Sequence, residues 1–139
     1  MCFVMGGSRV SSLTLGIKGL AIEKVDSHNT AIALESGELP VYATPAMIAL
    51  LEKAAYTSVA PYLASDITTV GTKVEIEHVA ASAQGMQMTA FSELVAMEGK
   101  RLLFQVEVKD EIQLVGKGLH ERYIVSKEKF LSRVLQNKK

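Results

Sequence analysis

Polarity along the chain changes period near residue 60. From Ala46 to Val59 strong helix formers carry Ile48, Leu51, Ala55 and Val59 on one stripe, whereas from residue 69 onward apolar and polar residues alternate as they do on strands. Thr44 is a favoured helix N-cap, and Pro45 at the first helical position has no amide proton to leave unpaired. Pro61 ends the helix, because its ring would clash with the carbonyl of Thr57. The pattern predicts a helix of about 15 residues, roughly 22 Å long at about 1.5 Å per residue.

In the alternating region Val70, Thr72, Val74, Ile76, His78 and Ala80 share one face of a strand, and Thr69, Gly71, Lys73, Glu75, Glu77 and Val79 share the other. Turns at Gly85 and at Gly99-Lys100 introduce two further strands; in the second, Leu102, Phe104, Val106 and Val108 alternate with Leu103, Gln105, Glu107 and Lys109. Asp110-Glu111 turns into a last strand from Ile112 to Val125, and Ser126 caps a short C-terminal helix with Phe130, Leu131 and Val134 as its apolar side. Upstream, the uneven apolar spacing from Leu13 to Val25 predicts a strand broken by Gly16 or Gly19. Asp26-Ser27-His28-Asn29 reads as a turn, Thr30 to Leu34 as a second short extended piece, and Ser36 to Pro40 as a loop. Tight turns between strands predict an antiparallel meander of four hairpin-linked strands after the helix. The packing solution is an α+β domain in which the antiparallel sheet curls around one long central helix.

The length of 139 residues suits one domain, and 48% hydrophobic with 22% charged residues suits a filled core. Residues 1–12 read as a flexible N-terminal segment and residues 13–139 as a single domain. Fifteen basic residues balance fifteen acidic ones, so the positive field that draws nucleic acid is missing, and four Phe, four Tyr and no Trp supply a poor stacking platform. Cys2 is the one cysteine, which excludes an intramolecular disulfide framework and a thiolate metal cluster and points to the reducing cytoplasm. The apolar-looking first seven residues, Met1-Cys2-Phe3-Val4-Met5-Gly6-Gly7, are too short for a signal-peptide core, and Arg9 follows them instead of preceding them. No run approaches the roughly 18 apolar residues of a membrane span, so no membrane partner is expected.

Thr44, Ile48 and Glu52 stand at successive helical turns and form one ridge. Glu52 lies among the apolar stripe, which leaves two readings: a carboxylate at the stripe's edge that reaches water or pairs with a nearby cation, or a catalytic carboxylate in a pocket. His78 continues the strand parity expected to face the helix; alone it reads as a satisfied core histidine, but with an inward Glu on the packed helix it could activate water or orient a nucleophilic carboxylate. Gly116-Lys117-Gly118 lacks the third glycine and the strand-to-helix setting of a dinucleotide loop, so close backbone packing is its expected use. There is no Gly-x-Ser-x-Gly elbow, and His28, His78 and His120 lack metal-ligand spacing, so neither a serine hydrolase nor a zinc enzyme is expected. Arg122 could meet a phosphate of a substrate or a surface carboxylate; the surface reading is the one expected from the pattern.

The run from Val41 through Tyr42-Ala43-Thr44-Pro45 to Glu52, then Thr69-Val70-Gly71-Thr72 leading to His78, then Gly116-Lys117-Gly118-Leu119-His120-Glu121-Arg122, resembles the hot-dog-fold thioesterases related to fluoroacetyl-CoA thioesterase. The resemblance runs from roughly residue 15 onward. That family uses a Thr, a Glu eight residues later and a His twenty-six residues after the Glu, and Thr44, Glu52 and His78 match in type and in both spacings. It implies that these three are catalytic, that Gly71 lies near the acyl carbonyl with Arg122 as a second substrate-binding residue, and that no cofactor is needed. It also implies a homodimer or higher oligomer, with sheets joined edge to edge and acyl-CoA pockets at the subunit interface. The implied activity is hydrolysis of a short or small acyl-CoA thioester to free acid and CoA. One departure is informative: where the fluoroacetyl-specific member has an aromatic lid, this chain has Glu35-Ser36-Gly37-Glu38, so fluoroacetyl selectivity is not carried over. The competing function is a non-catalytic acyl-CoA or small-acid binding module on the same fold. An enoyl-CoA hydratase ranks behind both, because the Thr, Glu and His pattern is that of the thioesterase branch.

Overall fold

The structure is a computed structural model that describes residues 13–138. The segment 1–12 expected to be flexible, Cys2 included, lies outside the described residues, as does Lys139. Strands form at Lys18–Lys24 (β1), Ile67–His78 (β2), Gln87–Glu98 (β3), Arg101–Lys109 (β4) and Leu114–Ser126 (β5), and helices at Thr44–Val59 (α1) and Lys127–Gln136 (α2). A single 3₁₀ turn, Ala60–Tyr62, carries Pro61 just past the end of α1.

The strands make one antiparallel sheet in the order β1-β3-β4-β5-β2. The expected meander therefore holds for β3, β4 and β5 and fails between β2 and β3, which lie at different places in the sheet. The turn at Gly85 does not close a β2–β3 hairpin. Gly85 N–H donates to the Val25 carbonyl at 2.8 Å and Val25 N–H to the Met86 carbonyl at 2.9 Å, so this turn prolongs the β1–β3 pairing while residues 79–86 cross from one side of the sheet to the other. Two other extended expectations also give way. Thr30 alone bridges to Tyr42, and the residues after it coil: Thr30 Oγ1 accepts the Ala33 amide and the Thr30 carbonyl accepts the Leu34 amide, local bonds that outcompete a strand. Strand β5 begins at Leu114 and not Ile112, because Asp110 Oδ1 accepts the amides of Ile112 and Gln113 and extends the turn. The upstream strand is not broken by Gly19; Gly16, at φ +94°, supplies the turn before β1.

Helix α1 lies on the concave side of the sheet, chiefly against β1 and β3. Ala46, Met47, Leu50, Leu51, Ala54, Ala55 and Val59 are its buried residues, so three of the four expected stripe positions face the core and Ile48 sits on the flank. The facing sheet residues are the apolar parity of the strands, among them Met88, Ala90, Leu94, Leu102, Phe104, Val106 and Val108. Glycines let backbones approach. A Cβ on Gly19 would run into the Ala54 carbonyl, one on Gly116 into Met47 and one on Gly118 into the Glu75 carbonyl, which bears out close packing as the use of the Gly116–Gly118 pair. Ser126 caps α2 through the Lys129 amide at 3.3 Å, as its sequence predicts, although no residue of that helix is buried.

Candidate active site

A bulge in β2 decides which residues meet. Opposite β5, Gly71 pairs with Arg122 but Lys73 pairs with Glu121, so Thr72 is an extra residue that reverses the strand's parity. Thr72 Oγ1 secures the bulge by donating to the Glu121 carboxylate at 2.9 Å. Before the bulge Thr69 and Gly71, not Val70 and Thr72, share the helix-facing side with Arg122 and Ile124; after it Val74, Ile76 and His78 do. The uniform alternation expected from Val70 to Ala80 is corrected accordingly, and the correction brings Gly71 and His78 onto one face.

Above that face runs the α1 ridge of Thr44, Ile48, Glu52 and Tyr56. Thr44 is the first residue of the helix and not its N-cap; that position belongs to Ala43, which offers no side-chain bond. The Thr44 hydroxyl is thereby released from capping, and its Oγ1 lies 2.7 Å from His78 Nδ1. His78 Nε2 is buried without a hydrogen-bond partner. Burial holds the His78 imidazole below its ordinary pKa, against a smaller opposing pull from the Ala80 backbone.

Two turns along the ridge, Glu52 is 40% exposed and its Oε2 accepts from Arg122 Nη1 at 3.1 Å. Arg122 is no surface residue: it is buried on β5, and the expected surface carboxylate is replaced by Glu52. Arg122 Nε donates to Thr69 Oγ1 at 2.8 Å, Nη2 to the Thr69 carbonyl at 3.0 Å, and Nη1 also faces His120 Nε2 at 3.1 Å. Its Cζ stands 5.9 Å from the centre of the Tyr56 ring, one turn after Glu52, at cation–π distance. Burial lowers the Arg122 pKa while Glu52 opposes the shift; a guanidinium starts high enough to stay charged. His120 donates from Nδ1 to the Lys73 carbonyl at 2.8 Å, which leaves Nε2 as the acceptor for Arg122. Burial is the first cause holding the His120 pKa low, and Arg122 adds to it.

Thus five groups fall into two sets, Thr44 with His78 and Glu52 with Arg122 and His120. Gly71 joins them, because a Cβ built there would stand 2.5 Å from Glu52 Oε2 and 3.3 Å from both Arg122 Nη1 and His120 Cε1. The direct partner of Glu52 is Arg122, and its neighbouring imidazole at 3.9 Å is His120 and not His78. Among the described residues no three His, Cys, Asp or Glu side chains gather as a metal would need. What the arrangement offers is an anchored, water-accessible carboxylate against Gly71 and, two turns earlier on the same helical ridge, a hydroxyl–imidazole pair.

Sequence matching bears on this geometry. A model of the family described as FlK, fluoroacetyl-CoA-specific thioesterase, matches residues 25–128. The chain belongs to that family. Fluoroacetyl-CoA thioesterase from Streptantibioticus cattleyicolor is 38% identical over 103 residues, which are 73% of this chain and 74% of that one. A solved structure of the fluoroacetyl-CoA thioesterase FlK superposes with a TM-score of 0.87 at 32% identity, over 93% of this chain and 100% of that one. A thioesterase superfamily member from Thermus thermophilus matches at TM-score 0.81 and 28% identity, over 90% of this chain and 94% of its own. A hot-dog-like protein from Thermanaerovibrio acidaminovorans shares the fold at TM-score 0.82 and 23% identity, over 90% and 93% of the two chains. The fold is therefore the hot-dog, an α+β antiparallel sheet curled around one helix, and family membership makes the chain a thioester hydrolase.

Among the residues that meet at Glu52 and Arg122, sequence reasoning missed Thr69, His120 and Tyr56 as members of the site. His120 and Arg122 are two apart on one strand, which is signal enough to put them on one face; Thr69 needed the bulge, for which a glycine inside a strand is the available warning. Tyr56 follows Glu52 by one helical turn and was readable as part of the same ridge.

Proposed function

We propose that the chain hydrolyses a short or small acyl-CoA thioester to free acid and CoA, with Thr44, Glu52 and His78 as catalytic residues and Gly71 and Arg122 serving substrate binding. The observation that carries this reading is the Glu52 carboxylate, held by Arg122, lying so close over Gly71 that no side chain would fit between them, and left accessible to water.

The thioester carbonyl would rest over Gly71, where only a hydrogen occupies the position of a side chain. Glu52 then has two routes. As nucleophile, a carboxylate oxygen adds to the carbonyl carbon, the C–S bond breaks, the thiolate leaves as CoA-SH after gaining a proton, and water cleaves the resulting mixed anhydride to acid and free Glu52. As general base, it takes a proton from water while that water adds to the carbonyl carbon, and the same C–S bond breaks. Thr44 positions the substrate or the carboxylate, and His78 at 2.7 Å from it assists the proton transfer. Arg122 fixes the oxygen of Glu52 that the thioester meets and keeps the other one free.

The same reading takes residues 13–139 as one thioesterase-like domain, acting in the cytoplasm as a homodimer. Among the described residues β2 ends the sheet with no strand on its outer side, and Val74 on that strand and Tyr56 beside Glu52 are exposed apolar groups for a second copy to cover. No helix among the described residues is long and apolar enough to cross a membrane. The S. cattleyicolor relative is named for fluoroacetyl-CoA; here residues 35–38 are polar or glycine and exposed, which supports a less selective small-acyl site.

Release of thiol from a panel of acetyl-, propionyl-, butyryl- and fluoroacetyl-CoA tests the proposal. Turnover of at least one short acyl-CoA is expected. Tight binding of the panel without thiol release would instead favour the binding module.

A further inference from the structure

Arg122 is held on its outer edge by Thr69, through Nε and one hydrogen of Nη2, and of the three hydrogens left the two on Nη1 point toward Glu52 and His120. One goes to Glu52 and the other faces His120 Nε2, each at 3.1 Å. The second would otherwise be an unpaired donor in a buried place, and the guanidinium would gain by turning away from Glu52 to find a partner. His120 can accept only while it is neutral with its proton on Nδ1, and the Lys73 carbonyl at 2.8 Å, just past the β2 bulge, enforces that tautomer. The ring is fully buried and packs beside Phe104, with centroids 6.4 Å apart, so it has no other place to swing.

From this geometry we infer that His120 is a positioning residue for Glu52: a neutral imidazole strung between the β2 bulge and Arg122 that aims Nη1 at the reacting carboxylate. It acts through Arg122 and does not touch substrate. A donor or a cation in its place would repel Nη1 and compete for Glu52 from 3.9 Å. This inference rests on Glu52 being the catalytic carboxylate.

Three substitutions separate the parts of the imidazole. His120→Gln places an acceptor at the reach of Nε2, His120→Asn supplies only a group at the reach of Nδ1, and His120→Leu removes both. Steady-state thiol release would be measured for each, with a melting curve, in the wild-type background and in Arg122→Lys. The Gln variant should keep kcat within about threefold, whereas Asn and Leu should lower kcat on the order of 100-fold at nearly constant KM, the scale of a misaimed catalytic group. In Arg122→Lys, which lacks the fork that His120 completes, the Asn and Leu losses should largely disappear.

Asn and Leu variants as active as wild type would overturn the inference, as would losses of equal size in both backgrounds, which mark a role independent of Arg122. If Leu fails to fold, the contrast between Gln and Asn decides; if all three fail to fold, His120 is a core residue and the inference is wrong. Glu52→Gln assayed alongside keeps the two levels apart. An active Glu52→Gln sinks the site itself, whereas an inactive one beside unaffected His120 variants sinks only the role of His120.

Discussion

Gly71 is where the site is tightest. The first atom a new Cβ would strike is Glu52 Oε2, at 2.5 Å, the far end of a flexible side chain on an accessible ridge. A flexible end can move, so Gly71→Ala should lose no more than about 1–2 kcal/mol of stability in urea unfolding. On the proposed mechanism the displaced carboxylate no longer meets the thioester, and turnover should fall by roughly 100-fold. A variant with full turnover would remove Gly71 from the site. Three of the candidate residues were legible from spacing: Thr44 and Glu52 as one helical ridge, and His78 as an inward strand position. Their grouping was not legible, because one inserted residue, Thr72, moves Thr69 and Gly71 to the helix side and thereby lets Arg122 reach Glu52. Extended-strand arithmetic has no place for an insertion, and so it paired Glu52 with His78 where the structure pairs it with Arg122.

At the scale of elements, periodicity located α1 and the strands closely, since both depend on burying one stripe or one parity against the other. It did not locate the partners. Gly85 has the look of a hairpin turn between β2 and β3, yet its backbone bonds go to Val25 and continue β1 against β3. Thr30 to Leu34 has strand-like composition, but Thr30 folds its hydroxyl onto the Ala33 amide and starts a coil. Helix and sheet are fitted most closely at Gly19 on β1, whose missing side chain makes room for the Ala54 carbonyl and the side chains of Ser58 and Ser92. A backbone carbonyl cannot swing aside. Gly19→Ala should therefore push α1 off β1 and destabilise the fold by about 1–3 kcal/mol or more, the overpacking range, in equilibrium urea unfolding. Gly116→Ala meets only the tip of Met47 and should be milder. Equal losses at the two glycines would contradict this packing.

For the whole molecule, one buried imidazole, His120, and one half-buried imidazole, His78, set the acid side of stability. His78 and His120 both have pKa values held below the ordinary 6.5, chiefly by burial. In the unfolded chain they take up protons as the pH drops through about 6.5, while in the folded chain they stay neutral to lower pH, so protons favour unfolding across that interval. Melting temperature should be level above about pH 7.5 and decline as the pH falls through 6.5 toward the lowered folded values. The carboxyls of Asp110 and Glu121 are also held low and add their losses only further into acid. Replacing His120 by Gln should make the decline shallower; an unchanged slope would show that His120 does not contribute. The open β2 edge makes its own demand, and light scattering should return about twice the 15.0 kDa of one chain. A monomer at micromolar concentration would count against a site completed by a second copy.

The most direct measurement is thiol release by Glu52→Gln on the best acyl-CoA of the panel. The amide keeps the shape of the side chain and one acceptor for Arg122, but it can serve neither as nucleophile nor as base. A folded protein that still binds acyl-CoA and hydrolyses it at least about 1,000-fold more slowly is the expected result, about 4 kcal/mol of lost transition-state stabilisation. Hydrolysis within about tenfold of wild type, only about 1.4 kcal/mol, would show that Glu52 is not the carboxylate that cleaves the thioester.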